Sequence, residues 1–173
     1  MRPMGDLMIR SARSSDLEEV LDLRLSLQHH VEASNPWLWW ITDEGKRDLR
    51  KELEQMFADE ECGIIVASEG GGLIGFASGR VSHREDYSPP NVGYILEIYV
   101  RDRFRGRGVG SRLVEGLCRF FRSENVEDVT LRYALGNREA EGFWSDLGFK
   151  PIIVTANTHL NGLEERLGDR VPP

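Results

Sequence analysis

Apolar residues recur along this chain with two periods, helical before about residue 58 and strand-like immediately after it. Residues 8–12 predict a short first strand, with Leu7 adjoining. Ser14 or Ser15 with Asp16 supplies cap chemistry for a helix carrying Leu17, Val20, Leu21, Leu25 and Leu27, which Asn35-Pro36 ends. An aromatic patch of Trp37, Trp39 and Trp40 follows. Thr42 or Asp43 then caps a second helix to about residue 58, with Leu49, Leu53, Met56 and Phe57 at helical spacing. Residues 63–68 and 73–81 read as two strands joined by three consecutive glycines, a hairpin signature. A polar loop to Pro90 precedes a strand over residues 92–100. Next come a glycine turn, a helix to about Glu124, a strand over residues 128–135 and a short helix over residues 137–147. Gly148 closes that helix as a left-handed cap, and residues 149–155 predict a last long strand.

The order β-α-α-β-β-β-α-β-α-β predicts an α/β fold, a mixed and mostly antiparallel central sheet flanked by helices. No linker, repeat or low-complexity stretch divides residues 1–173, so one domain is expected, with its core at about residues 8–156. The net charge of −7 argues against a general nucleic-acid binder, which needs a basic face. No apolar stretch has the length of a membrane span or a signal-peptide core, so a cytoplasmic protein is expected. Cys62 and Cys118 lie far apart, without disulfide-framework or metal-ligand spacing, and no His/Cys metal cluster is apparent. Cys118 sits among Leu117, Phe120 and Phe121 and reads as an inert core residue.

The chemistry concentrates between the strand ending at Val100 and the helix after it, where residues 105–110 read Arg-Gly-Arg-Gly-Val-Gly. Alternate glycines let the backbone turn sharply and leave its amides uncovered. A helix starting there directs unpaired N–H donors and the positive end of its dipole at one spot, a geometry that holds a pyrophosphate. Arg101, Arg103, Arg105, Arg107 and Arg112 surround the turn. Such a run is either a solvated face or a field that attracts an anionic ligand. A P-loop is excluded because the lysine of its signature is absent. A dinucleotide fold fits poorly, since Gly106, Gly108 and Gly110 are spaced G-x-G-x-G and follow an antiparallel-looking hairpin.

Arg105-Gly-Arg-Gly108-Val-Gly110 resembles the Arg/Gln-x-x-Gly-x-Gly/Ala signature of the GNAT superfamily of N-acetyltransferases. Two further stretches are similar to that family. Asn137-x-x-Ala140-x-x-Phe143-Trp144-x-x-x-Gly148-Phe149 matches a downstream block, and residues 9–20 match its Ile-Arg-x-Ala-x-x-x-Asp-Leu-x-x-Val opening. The resemblance spans residue 8 to about 156. It implies the acyl-CoA N-acyltransferase fold and transfer of an acetyl group from acetyl-CoA to the amine of a small molecule or peptide, without a metal. By position it implies that the amides of Gly106, Arg107, Gly108, Val109, Gly110 and Ser111 hold the CoA pyrophosphate. The side chains of Arg105 and Arg107 are then expected near the phosphates. The backbone of Ile98, Tyr99 and Val100 would pair with the pantetheine arm like an added strand, and Asn137 would hydrogen-bond its end. Many family members dimerise, so a homodimer is among the expectations.

The family's usual route is direct attack of a neutral amine on the thioester. It needs a base, because a lysine-like amine of pKa ~10.4 is charged at neutral pH. Glu97 is the candidate general base, as the only charge in an otherwise apolar strand. An exposed edge or an ion pair to Arg132 is its structural alternative. Val100 N–H is the expected donor to the thioester carbonyl. Trp144 stands where many members carry the tyrosine that protonates the leaving sulfur, and indole cannot deliver a proton. Water, Tyr99 or Tyr133 are the remaining candidates for that step. His29-His30 and the three tryptophans could reach an acceptor site, or serve as surface and packing residues. The competing function is a non-catalytic acyl-CoA-binding sensor or partner module. A cationic acceptor such as a polyamine, aminoglycoside or peptide lysine suits the acidic chain.

Overall fold

The computed structural model describes residues 6–34 and 40–168. A five-stranded sheet is built from β1 (Met8–Ser11), β2 (Cys62–Glu69), β3 (Gly72–His83), β4 (Asn91–Val100) and β5 (Asp128–Leu131). The strands lie side by side in chain order; β1 to β4 are antiparallel neighbours, and β5 runs parallel to β4. Helices α1 (Leu17–Ser34) and α2 (Asp43–Ala58) cover one face. Helix α3 (Val109–Ser123) covers the other, with α4 (Arg138–Asp146) beyond it; α5 (Leu160–Gly168) ends the described chain. Among the described residues no helix is long and apolar enough to cross a membrane.

Burial on both faces explains why β2 and β3 read as near-continuous apolar runs. Ile65, Ala67, Ala77 and Ile95 pack against Leu113, Leu117 and Phe121 of α3. Ile64, Val66 and Phe76 face Val20 and Leu23 of α1 and Leu53 and Met56 of α2. Glycine permits the close approach of α3, since a Cβ at Gly79 would stand 2.6 Å from the Phe121 ring.

The caps differ in detail from their sequence reading. Thr42 caps α2 by accepting the Gly45 N–H. At α1 the expected Ser14 or Ser15 cap is replaced by a backward reach, in which Asp16 accepts the Arg13 N–H at 2.7 Å and two bonds from Arg10 at 2.6 and 2.9 Å. The Arg10 bonds, with the Arg13 amide, hold the buried Asp16 carboxyl below the ordinary carboxylate range. A lowered folded value means stability that is full above the unfolded value of about 3.9 and lost as pH falls through the lower folded one. Asp16→Asn is therefore expected to cost about 2 kcal/mol near neutrality. Urea denaturation against pH should show the gap to the unsubstituted protein closing in acid.

Three expectations fail. β5 stops at Leu131 instead of Leu135. The last strand does not form: residues 150–159 have no regular structure, and Ile152, Ile153 and Val154 are exposed. Propensity alone does not make a strand; it needs a partner, and among the described residues this segment pairs with none, the sheet ending at β5. Cys118 is exposed on α3 and does not belong to the core. Trp37 and Trp39 lie outside the described residues, while Trp40 is largely exposed.

Candidate active site

The site begins with one extra residue. Between the pairs Ser78–Glu97 and Gly79–Ile95, β4 carries Leu96 without a partner on β3, a β-bulge. The inserted residue puts Ile95 and Ile98 on the same face although they are three positions apart, and both pack on the α3 side. Pairing of β4 with β5 ends at Ile95 and Leu131, beside the bulge. Beyond that point residues 96–100 and 132–134 line opposite walls of a cavity of about 700 Å³, the size of an ordinary ligand site.

The end of β4 turns its backbone to this cavity. Arg101 N–H reaches across to Ile74 C=O at 2.9 Å, so by strand alternation the peptide groups of Val100 and Ile98 point away from β3 and into the cleft. The side chains divide the other way. Ile98 and Val100 join the α3-side core, Tyr99 packs with the α1–α2 layer, and Glu97 faces α1.

The glycine turn closes one end of the cleft. Gly106 and Gly108 adopt left-handed φ of 68° and 75°. The first helical bond of α3 runs from Arg112 N–H to Gly108 C=O at 3.2 Å. Among the described residues none of the amides of Gly106, Arg107, Gly108, Val109, Gly110 and Ser111 donates to another protein group. No side chain caps α3, and no acid stands in its first turn, in contrast to α2 and α4. Six uncommitted donors on a helix N-terminus are a fitted cradle for a pyrophosphate.

The loop's arginine side chains are both engaged in ion pairs within the chain, with Arg105 also in the cavity lining. Arg105 donates to Val100 C=O at 3.0 Å and to Glu139 at 3.0 Å, with Asp102 also at 3.0 Å. Arg107 forms a two-bond pair with Glu69, at 2.8 and 3.3 Å. Carboxylates distant in sequence hold both guanidinium groups, and these pairs fasten the loop. Arg101 is likewise paired, with Asp22 at 2.8 Å. Asn137 also has a structural duty, as its Oδ1 caps α4 by accepting the Ala140 N–H at 3.1 Å. Its side chain still lines the cavity, with the amide NH₂ uncommitted among the described residues.

Glu97 lines the cavity, and its partner is not Arg132. Arg24 of α1 donates Nε–H to Oε1 at 2.7 Å, and the buried Ser78 hydroxyl lies 3.4 Å from Oε2. Arg24 also donates to Leu49 C=O at 3.0 Å and to Glu52 at 2.9 Å, joining β4 to both helices of that face. Sequence reading missed Arg24, although an arginine on the apolar stripe of Val20, Leu23 and Leu27 signals a buried partner. His30 lines the cavity from α1, with Nε2 3.9 Å from Glu139 Oε2 of α4. His29 instead lies by Glu32 on the exposed side. Trp144 is 5% exposed and packs edge-on against Phe143 and Phe149 at the cavity wall, with Tyr133 also in the lining. Among the described residues no group of three or more His, Cys, Asp or Glu is placed to hold a metal ion.

A profile of the acetyltransferase (GNAT) family matches residues 26–149, which take in the bulge, the cradle and α4. This chain belongs to the GNAT family. Among curated proteins it is 28% identical to glucosamine 6-phosphate N-acetyltransferase of Trypanosoma brucei brucei, over 87% of this chain and 93% of that one. It is 23% identical to an N-alpha-acetyltransferase of Sulfurisphaera tokodaii, over 89% and 86% of the two chains. Its fold is that of an aminoglycoside N-acetyltransferase solved with CoA, at TM-score 0.71 and 21% identity, covering 92% of this chain and 98% of the other. The GNAT chain described here is an acetyl-CoA-dependent N-acetyltransferase.

Proposed function

We propose that the cleft takes acetyl-CoA through the amides of residues 106–111 and Ile98–Val100, and acetylates a cationic amine entering from the α1 side. The observation that carries this is the row of six uncommitted amides at the uncapped start of α3, set at the mouth of the β4–β5 cleft. Bound acetyl-CoA supplies the acetyl group as a thioester.

In this reading Val100 N–H donates to the thioester carbonyl as negative charge develops on its oxygen, a preorganised dipole that needs no rearrangement. Arg105 on Val100 C=O fixes the adjoining Val100–Arg101 peptide plane. Glu97, held by Arg24 and Ser78, keeps lone pairs free for the acceptor's ammonium and takes its proton. The amine nitrogen then bonds to the carbonyl carbon, the carbon–sulfur bond breaks, and the nitrogen's remaining surplus proton passes through water to the departing thiolate. A thiol of pKa ~8.5 leaves tolerably as thiolate, so Trp144 need not act as an acid. Its rigid wall excludes water from the thioester. The acceptor class rests on Glu97 and Glu139 in the cavity lining, on the net charge of −7, and on the amine substrates named for related proteins. The working unit in this reading is two copies of the chain, in the cytoplasm.

A second reading of the base has its own support, because His30 also faces the cavity and a neutral imidazole nitrogen can accept a proton. The pH dependence of kcat separates the two. Glu97→Gln is expected to lower kcat about 100-fold and flatten the acid limb, with His30→Gln leaving that limb in place. The reverse pattern would assign the proton to His30. The test of the whole reading is a thermal shift with acetyl-CoA, followed by thiol release over kanamycin, glucosamine 6-phosphate, spermidine and a short peptide. Stabilisation together with turnover on a cationic amine is expected. Stabilisation without turnover on any amine would favour a sensor.

A further inference from the structure

Two arginines line the cavity, and their circumstances are opposite. Arg105 is held by Val100 C=O, Asp102 and Glu139. Arg132 has no hydrogen bond, ion pair or ring contact among the described residues. Both carboxylates of the lining are already balanced, Glu97 by Arg24 and Glu139 by Arg105. Arg132 is therefore a surplus positive charge at the cleft, in a chain that carries 29 acidic residues against 22 basic ones.

The strand pattern sets where that charge points. Leu131 and Tyr133 both pack on the α3-side core. Arg132 lies between them, so by alternation its side chain leaves the other side, toward the α1 layer. Glu97 faces the same layer through its bond to Arg24. The two residues stand just beyond the last β4–β5 pair, Ile95 with Leu131, one on each wall of the cleft. Across that gap Arg132 is the expected ion-pair partner of Glu97. Arg24 takes the carboxylate from the helix side instead, at 2.7 Å, and leaves Arg132 unpaired. Leu27 and Val31 of α1 and Leu96 of β4 add apolar wall at this end. A guanidinium beside such low-dielectric walls keeps more of its field than one on open surface.

We propose that Arg132 selects an acceptor that carries an anionic oxygen group, a carboxylate or a phosphate, a few bonds from its amine. This rests on the acetyl-transfer reading above and narrows its acceptor class. With the ammonium at Glu97, the planar fork of Arg132 on the other wall meets the oxygens of that group through parallel N–H bonds. Paired strands lie about 4.8 Å apart and these two have begun to part, so one small molecule spans both charges. A polyamine would set a second ammonium against the guanidinium. The phosphates of CoA do not compete, since in the same reading residues 106–111 hold them at the start of α3.

Kinetics on matched acceptors test the assignment: glucosamine 6-phosphate against glucosamine, serine against serinamide, and spermidine alone. Each is assayed with the unsubstituted protein, Arg132→Gln and Arg132→Lys. The anionic member of at least one pair should be preferred in kcat/KM, and which pair it is separates phosphate from carboxylate. Arg132→Gln should lower kcat/KM for that member about 30-fold, mainly through KM. Its neutral partner and the KM for acetyl-CoA should stay within about twofold, and Arg132→Lys should recover part of the loss. Arg132 is exposed and unpaired, so both variants should keep their circular dichroism. Equal use of both members of each pair, a preference for spermidine, or a preference that survives in Arg132→Gln would overturn the anion site and leave the transferase reading standing. An equal rise in the KM for acetyl-CoA would overturn it as well, by moving Arg132 to the cofactor. An absence of turnover with every amine would count against the acetyl-transfer reading, and a thermal shift with CoA bound then decides the site. Stabilisation by glucosamine 6-phosphate or serine that Arg132→Gln abolishes supports it, and any other result overturns it.

Discussion

Gly108→Val is expected to weaken acetyl-CoA binding about 100-fold, or ~2.7 kcal/mol by calorimetry. Gly108 sits at φ 75°, where a β-branched residue is strained, and the backbone would relax toward negative φ. That relaxation turns the amides of residues 106–109 off their common point. No side chain stands within 4 Å of a Cβ built there, so steric collision is not the cause. Gly70→Val is the control, because Gly70 has φ 62° and equally open surroundings, at the β2–β3 turn. Both variants should lose a similar ~1–2 kcal/mol of stability. Only Gly108→Val should lose the ligand. Wild-type affinity in Gly108→Val would show that the amides are not the cradle.

Arg24→Met should lower stability by about 3 kcal/mol in urea denaturation, because it breaks a buried ion pair from one side. Three bonds disappear together, to Glu97, Leu49 C=O and Glu52, and the partly buried Glu97 carboxylate loses its cation. Adding Glu97→Gln to Arg24→Met should restore part of the loss, which a double-mutant cycle reads as coupling between the two positions. Strict additivity would mean that Arg24 stabilises the fold through α2 alone. Turnover should fall in Arg24→Met as well, since Glu97 is no longer held at the cleft.

The sequence made legible whatever depends on local order. The hairpin glycines, the Thr42 cap, the left-handed Gly148 and the period change near residue 58 are each written in a few neighbouring residues. The glycine turn was legible for the same reason, since its amides belong to the turn itself. Contacts between distant segments were not. Nothing in the turn names Glu139 and Glu69, 34 and 38 residues away, as the partners of Arg105 and Arg107. Asn137 carries a motif's ligand role and a helix cap at once, and only geometry shows that the cap uses its oxygen. Residues 152–155 have the composition of a strand, yet composition cannot name the edge that would receive them. α5 went unread because its three leucines span little more than two turns.

The bulge at Leu96 gives the cleft an unusual kind of vulnerability. Deleting that one residue would return β4 to an unbroken two-residue alternation with β3. The pairs Ile95–Gly79 and Glu97–Ser78 would become direct neighbours with every side chain on its present face, but the bend that parts β4 from β5 beyond Ile95 would be lost and the cleft would close. Yet Leu96 is half exposed, and its side chain could be exchanged for many others. The function of this region is therefore encoded in a count of residues and not in their identity. Divergence within the lineage should tolerate substitution at position 96 far better than any change in the length of β4.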